Sequence, residues 1–107
     1  MNKQPIIFAM ANPVPEIMPD VAKKAGVAII ATGRSDFPNQ INNALVFPGI
    51  FRGLLDGKTK KVNINLKKKI AISLAYSVKK PNKNKIIPSI NEKKVVKVIS
   101  ESVIQNS

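Results

Sequence analysis

Two short apolar runs, separated by one helix-length segment, constrain this chain most. Pro5 to Ala11 is a near-continuous apolar run, and Val27-Ala28-Ile29-Ile30-Ala31 is a second. Short continuous apolarity of this kind is the pattern of a parallel strand covered on both faces. Asn12-Pro13 stops the first run, because a residue before proline is pushed away from helical backbone. Asp20 to Gly26 then reads as a short helix that Pro19 opens and the glycine ends. Strand, helix and strand in this order form a βαβ unit, right-handed by default. The runs at 5–11 and 27–31 are therefore expected as parallel neighbours, and the fold class as α/β.

The segment from Gly33 to Gly53 follows the second strand and is the richest in polar chemistry. Its pattern predicts a helix from just after Phe37 to about Asp56, with Gly57 as the C-terminal signal. Pro48 lies inside that span and is expected to kink or break it. Ile41, Leu45, Phe47, Phe51, Leu54 and Leu55 give it a broad apolar face, read as core packing. The first turn would carry Asn39, Gln40, Asn42 and Asn43. A side-chain amide offers donors and an acceptor without charge. That suits a ligand presenting hydroxyl, carbonyl and carboxamide groups together. Groups placed after the carboxyl end of a strand also lie where open α/β sheets bind ligands. The plain alternative is helix capping and surface polarity; the clustering of the amides favours the ligand reading.

Further along, Lys58-Thr59-Lys60-Lys61 reads as a loop. Asn63 is placed to cap a helix through Val78, with Leu66, Ile70, Leu74 and Val78 on one stripe. Pro81 to Lys85 is a polar linker. Asn91 is a candidate cap for a last helix whose apolar face holds Val95, Ile99 and Val103. Residues 1–80 and 81–107 are accordingly separated into a main portion and a linker with a terminal helix.

Composition excludes several functions. The 107 residues contain no cysteine and no histidine, which removes disulfides, thiolate metal sites and the commonest general base. No apolar run approaches membrane-spanning length, and no signal-peptide pattern opens the chain. A soluble cytoplasmic protein is expected. The net charge of +12 suggests an acidic partner. However, only Arg34 and Arg52 among the cations are arginines, and no aromatic residue is interleaved with the lysine runs. Specific nucleic-acid recognition, which favours arginine and stacking aromatics, is not expected. Salt-sensitive, non-specific binding to polyanions is. A basic nucleic-acid binder, and a non-enzymatic fragment acting through an exposed sheet edge, remain the alternatives.

Three stretches carry a resemblance. Ile6-Ile7-Phe8-Ala9-Met10-Ala11-Asn12-Pro13-Val14-Pro15-Glu16-Ile17 resembles the Ala-Asn-Pro strand end of the malic enzymes. The segment 33–53 is similar to a second motif of their nucleotide-binding domain, and Lys85-Ile86-Ile87-Pro88-Ser89 is a weaker third match. The similarity is strongest over residues 5–57 and closest to bacterial members. It implies a partial Rossmann-like, doubly wound parallel sheet with two parallel strands and C-terminal helices. It implies oxidative decarboxylation of malate to pyruvate and carbon dioxide, with NAD or NADP reduced and a divalent metal holding the intermediate. By the same resemblance Asn12 contacts nicotinamide and substrate. Asn42 does likewise, and Asn43 is the second candidate for substrate.

The family's catalytic Tyr and Lys, its acidic metal ligands and its glycine-rich dinucleotide loop lie N-terminal to the matched region. Asp36, Asp20 and Glu16 lack partners at metal-ligand spacing, and Gly26 and Gly33 do not form a dinucleotide fingerprint. No catalytic or metal residue is therefore assigned here. The resemblance implies a complementary N-terminal chain, or a truncated reading frame.

Overall fold

A computed structural model describes residues 3–58 and 61–105, so part of the expected loop at 58–61 lies outside the described residues. The chain forms two compact units. One comprises residues 1–42 with 80–87, the other 43–79 with 88–107.

The first unit is the expected βαβ arrangement. Strand β1 (Ile6–Ala9) pairs in parallel with β2 (Ile29–Thr32), and Ile6, Ile7, Phe8 and Ala9 lie opposite Ile29, Ile30, Ala31 and Thr32. Helix α1 (Pro19–Lys24) connects them, with proline in its first turn and Ala25 as its C-cap. Gly26 follows at a φ of 95°, in the left-handed region where glycine meets no Cβ penalty. Ala9, Ala22, Val27 and Ile30 form the small core, with Ile7 and Ile17 packed against it. One expectation fails here. The apolar run of β1 is covered on one side only, and Ile6, Phe8 and Met10 are more than half exposed.

The predicted long helix over 38–56 is two elements preceded by irregular chain. Residues 33–42 form bends and a bridge; a 3₁₀ turn (Asn43–Leu45) follows, and α2 spans Phe47–Asp56. Two physical causes set this boundary. Asn39 has a φ of 59°, which a helix cannot accommodate. The neighbouring backbone is also committed elsewhere: Thr32 N–H donates to Asn39 O at 3.3 Å, and Ile41 N–H to Thr32 O at 2.8 Å. Pro48 then sits in the first turn of α2, where its missing N–H costs nothing, so it starts the helix and does not kink it.

The second unit is helical. Helix α3 (Ile64–Tyr76) is capped as expected, with Asn63 Oδ1 accepting from Leu66 N–H at 2.8 Å. It buries Leu66 and Ile70. Helix α4 (Lys94–Gln105) buries Val95, Ile99 and Val103, as its stripe predicts. It begins three residues after Asn91, which is not its cap. The turn before it is organised by Ser89, whose Oγ accepts from Asn91 N–H and whose carbonyl accepts from Glu92 N–H. Ser73 Oγ and Ser102 Oγ meet at 3.0 Å between α3 and α4. Among the described residues no helix is long and apolar enough to cross a membrane.

The buried face of α2 is not the aromatic one. Phe47, Phe51 and Leu55 are exposed, and the two phenyl rings lie against each other at 6.0 Å. Gly49 and Gly53 face α4 instead. A Cβ on Gly49 would lie 2.6 Å from Ile99 Cβ and 3.1 Å from the Val96 carbonyl; one on Gly53 would lie 2.6 Å from Val103 Cβ and 2.8 Å from the Ser100 carbonyl. Residues two apart on a helix point about 200° apart, so the glycine and phenylalanine rows occupy opposite sides. Gly53→Ala adds helix propensity of about 1 kcal/mol but forces the helices apart at a backbone contact. Overpacking of this kind costs about 1–3 kcal/mol, so the variant is expected to melt at lower temperature and lower urea. A melting temperature equal to or above that of the parent chain would show that the helix contact is looser than this.

Candidate functional site

Parallel pairing places the carboxyl ends of β1 and β2 side by side, and the chain leaving each end forms one wall of a cleft. An open cleft of about 600 Å³ is lined by Asn12, Pro13 and Val14 from the first exit and by Gly33, Arg34, Ser35, Asp36 and Gln40 from the second. This is the position at which open α/β sheets bind ligands.

Each wall is braced locally. After β1, the Ala11 N–H donates to Glu16 Oε1 at 2.6 Å, closing the loop that carries Asn12. After β2, the buried Thr32 accepts the Arg34 N–H through Oγ1 at 3.2 Å. Arg34 and Asp36 form a bidentate pair, Nε to Oδ1 at 2.8 Å and Nη2 to Oδ2 at 2.7 Å. The guanidinium also lies 5.2 Å from the Phe37 ring centroid. Gln40 Nε2 donates to the Gly33 carbonyl at 3.2 Å, so the far side of the segment folds back onto the strand end.

The charged groups of the cleft are thereby matched within the chain. The Ala11 N–H holds the Glu16 carboxyl below the usual carboxylate range. The Arg34 hydrogen bonds do the same for Asp36, and Asp36 raises Arg34 in turn. Among the described residues no group of three or more acidic, histidine or cysteine side chains could hold a metal ion. The other polar groups of the lining are uncharged: the amides of Asn12 and Gln40, the Ser35 hydroxyl and backbone.

Asn12 is exposed in the cleft, and its amide passes close over Gly33. A Cβ on Gly33 would lie 2.7 Å from Asn12 Oδ1. Asn42 and Asn43 are also exposed, but neither lines this cleft. Asn42 ends the first unit just beyond the Thr32–Ile41 hydrogen bond, and Asn43 opens the 3₁₀ turn of the second. The two do not share a helix, contrary to the single first turn expected to carry both. Sequence reading also missed Asn39 as a structural residue. It is buried, and its side chain bonds to the carbonyls of Ile30 and Lys83 and the N–H of Ile86. Gly33 and the Arg34–Asp36 pair were equally illegible as cleft walls, since their roles depend on a loop conformation. Tyr76 is exposed on α3, in the second unit.

Two outcomes follow from this geometry. Gly33→Ala meets the movable end of a side chain, not backbone, so folding is expected to survive while the Asn12 amide is displaced. The Asn12 side-chain amide resonances should move, with the melt lowered by under about 1 kcal/mol; an unmoved Asn12 signal would contradict the close approach. Glu16 has a depressed folded-state pKa, so its contribution to stability is present above the unfolded carboxylate value. It is lost as pH falls through the folded value. Glu16→Gln should therefore flatten the acid limb of the stability profile below about pH 4.5, and a limb unchanged in slope would show that the Ala11 bond carries no linkage.

The family model described as malic enzyme, NAD binding domain, matches residues 1–107. The NAD-dependent malic enzyme of Geobacillus stearothermophilus is 48% identical over 107 residues, covering 98% of this chain and 22% of that protein. The NADP-dependent malic enzyme of Rhizobium meliloti is 55% identical over 80 residues, 74% of this chain and 10% of that protein. The crystal structure of malic enzyme from Pyrococcus horikoshii superposes with a TM-score of 0.95 at 47% identity, covering 99% of this chain and 24% of that one. The chain thus spans a quarter or less of the length of these relatives. With the parallel strand pair and the cleft at its carboxyl end, these likenesses show that the chain belongs to the malic enzyme family and carries sequence of its NAD binding domain.

Proposed function

We propose that this chain supplies the nicotinamide- and substrate-facing contacts of a malic enzyme, in the oxidative decarboxylation of malate to pyruvate and carbon dioxide. The observation that carries this reading is the amide of Asn12, held over Gly33 in a cleft whose charged groups are matched within the chain. The residues present fit a nicotinamide: a neutral carboxamide pairs with a neutral amide, and the bare Gly33 leaves room for Asn12. When bound, the dinucleotide accepts the hydride from malate's carbinol carbon.

The chain's own contribution is orientation. Asn12 is proposed to contact both the nicotinamide and the substrate, and Asn42 to make the second contact, with Asn43 as its alternative for substrate. Neutral amides hold malate's oxygens without competing with a metal for charge. Holding two reactants in a near-attack arrangement is a large share of what an enzyme adds to hydride transfer. Proton transfer and metal ligation are assigned to no residue of this chain. A complementary stretch of protein carrying those groups is proposed as its partner, favoured by the exposed apolar row of Ile6 and Phe8 on β1 and Met10 just beyond it.

The test is an isotope-labelled 107-residue chain titrated with NADH, NADPH and malate, read at the side-chain amides. Asn12 and Asn42 should shift saturably, and Asn12→Ala should weaken the response by up to about tenfold, the worth of one hydrogen bond. Asn63 and Asn91 serve as internal controls. Shifts confined to the lysine-rich surfaces and abolished by moderate salt would reverse the conclusion, in favour of charge-driven polyanion binding.

A further inference from the structure

We propose that Asn39 is a positioning residue of this site, which holds residues 40–42 at the carboxyl end of β2 by bolting them to the Lys83–Ile86 turn. The role rests on the assignment of Asn12 and Asn42 as ligand contacts.

Asn39 is 6% exposed, and its amide is used on three sides. Nδ2 donates to the Ile30 carbonyl at 3.2 Å and to the Lys83 carbonyl at 2.8 Å. Oδ1 accepts from the Ile86 N–H at 2.9 Å. One side chain therefore joins Ile30 of β2 to backbone that lies 44 and 47 positions beyond Asn39. Its main chain is fixed as well. Its carbonyl accepts from Thr32 N–H, and the next peptide but one donates from Ile41 N–H back to the Thr32 carbonyl. Gln40 Nε2 reaches the Gly33 carbonyl. The segment that leads into Asn42 is thus gripped from the strand side and from the turn side.

No other side chain reproduces this set. The backbone at Asn39 is left-handed, at a φ of 59°. Asparagine tolerates that region better than other residues with a side chain. It also offers two donors and an acceptor on a single methylene stem. Aspartate has the same length but no amide donors, and would turn a carboxylate toward the Ile30 and Lys83 carbonyls. Glycine keeps the backbone and loses every side-chain bond. With both donors committed and the side chain buried, Asn39 acts on a ligand through the residues it holds.

The experiment uses the full 107-residue chain as the parent, Asn39→Asp and Asn39→Gly, with amide hydrogen exchange and titration by NADH plus malate. In both variants the Ile41 and Ile86 N–H groups should exchange at least about tenfold faster, while the β1–β2 ladder keeps its protection. The ligand-induced shift of the Asn42 amide should weaken by about tenfold or more, and that of Asn12 should persist, because Asn12 is held by a different loop. Unchanged exchange at Ile41 and Ile86, or equal loss of response at Asn12 and Asn42, would overturn the role. So would failure of both variants to fold, which would make Asn39 a stability residue only. A parent chain that ignores both ligands would remove the binding reading and this role with it. A responsive parent beside an unaffected Asn39→Asp would remove this role alone.

Discussion

Parallel pairing of β1 with β2 is the constraint on which the site depends. Antiparallel strands would put the end of one beside the start of the other. Parallel strands put both carboxyl ends together, and the crossover through α1 makes this possible within so short a chain. The register opposes Ala9 to Thr32 at the strand ends. The loops leaving these two residues therefore start next to each other, one carrying Asn12 and the other Gly33 through Gln40. The absent Cβ of Gly33 then leaves room for the Asn12 amide, which a methyl group there would displace. Strand direction and register place the cleft, and the bare Gly33 sets where the Asn12 amide lies in it.

The second unit is held together by a different device. Helix packing depends on how closely backbones approach, and small residues spaced four apart give one helix a flat face. Gly49 and Gly53 provide that face on α2, against which Ile99 and Val103 of α4 sit as knobs. Glycine inside a helix is unfavourable by about 0.5–1 kcal/mol, so each position costs stability locally and returns it in contact. The apolar side chains on the opposite side of α2 are left exposed as a result. Val46, Phe47, Ile50, Phe51 and Leu54 line an apolar groove with Ile70 and Leu74 of α3.

How much of this was legible in the sequence depended on whether the signal was local. The two strands, α1, the Asn63 cap and the α4 stripe were readable because periodicity, proline, glycine and capping residues act within a few positions. Strand burial was not: Ile6 and Phe8 are apolar, but what covers a strand is a tertiary matter. The helix drawn through residues 38–46 failed because its amides were read as the start of a helix. Asn39 instead bonds to residues 83 and 86, a pairing no local pattern announces. The orientation of α2 failed for a related reason. Hydrophobicity ranks Phe47 and Phe51 above Gly49 and Gly53, whereas close packing against α4 ranks them the other way. Asn12 was singled out through a family resemblance; its close approach to Gly33 is visible only in three dimensions.

The electrostatics of the cleft leave its walls without an unmatched charge. The chain carries 18 cationic and 6 acidic side chains, so an unpaired arginine beside the strand ends would attract any anion at hand. Arg34 is instead matched to Asp36 by two short hydrogen bonds and laid near Phe37. Glu16 is matched to the Ala11 N–H, so its charge closes a loop instead of facing the cleft. Both arrangements keep the carboxylates ionised and committed. A ligand entering between these walls meets polar groups of no net charge, which select by the placement of donors and acceptors. The neutrality of the cleft therefore comes from pairing inside the chain, while the lysine excess lies on the exposed surface.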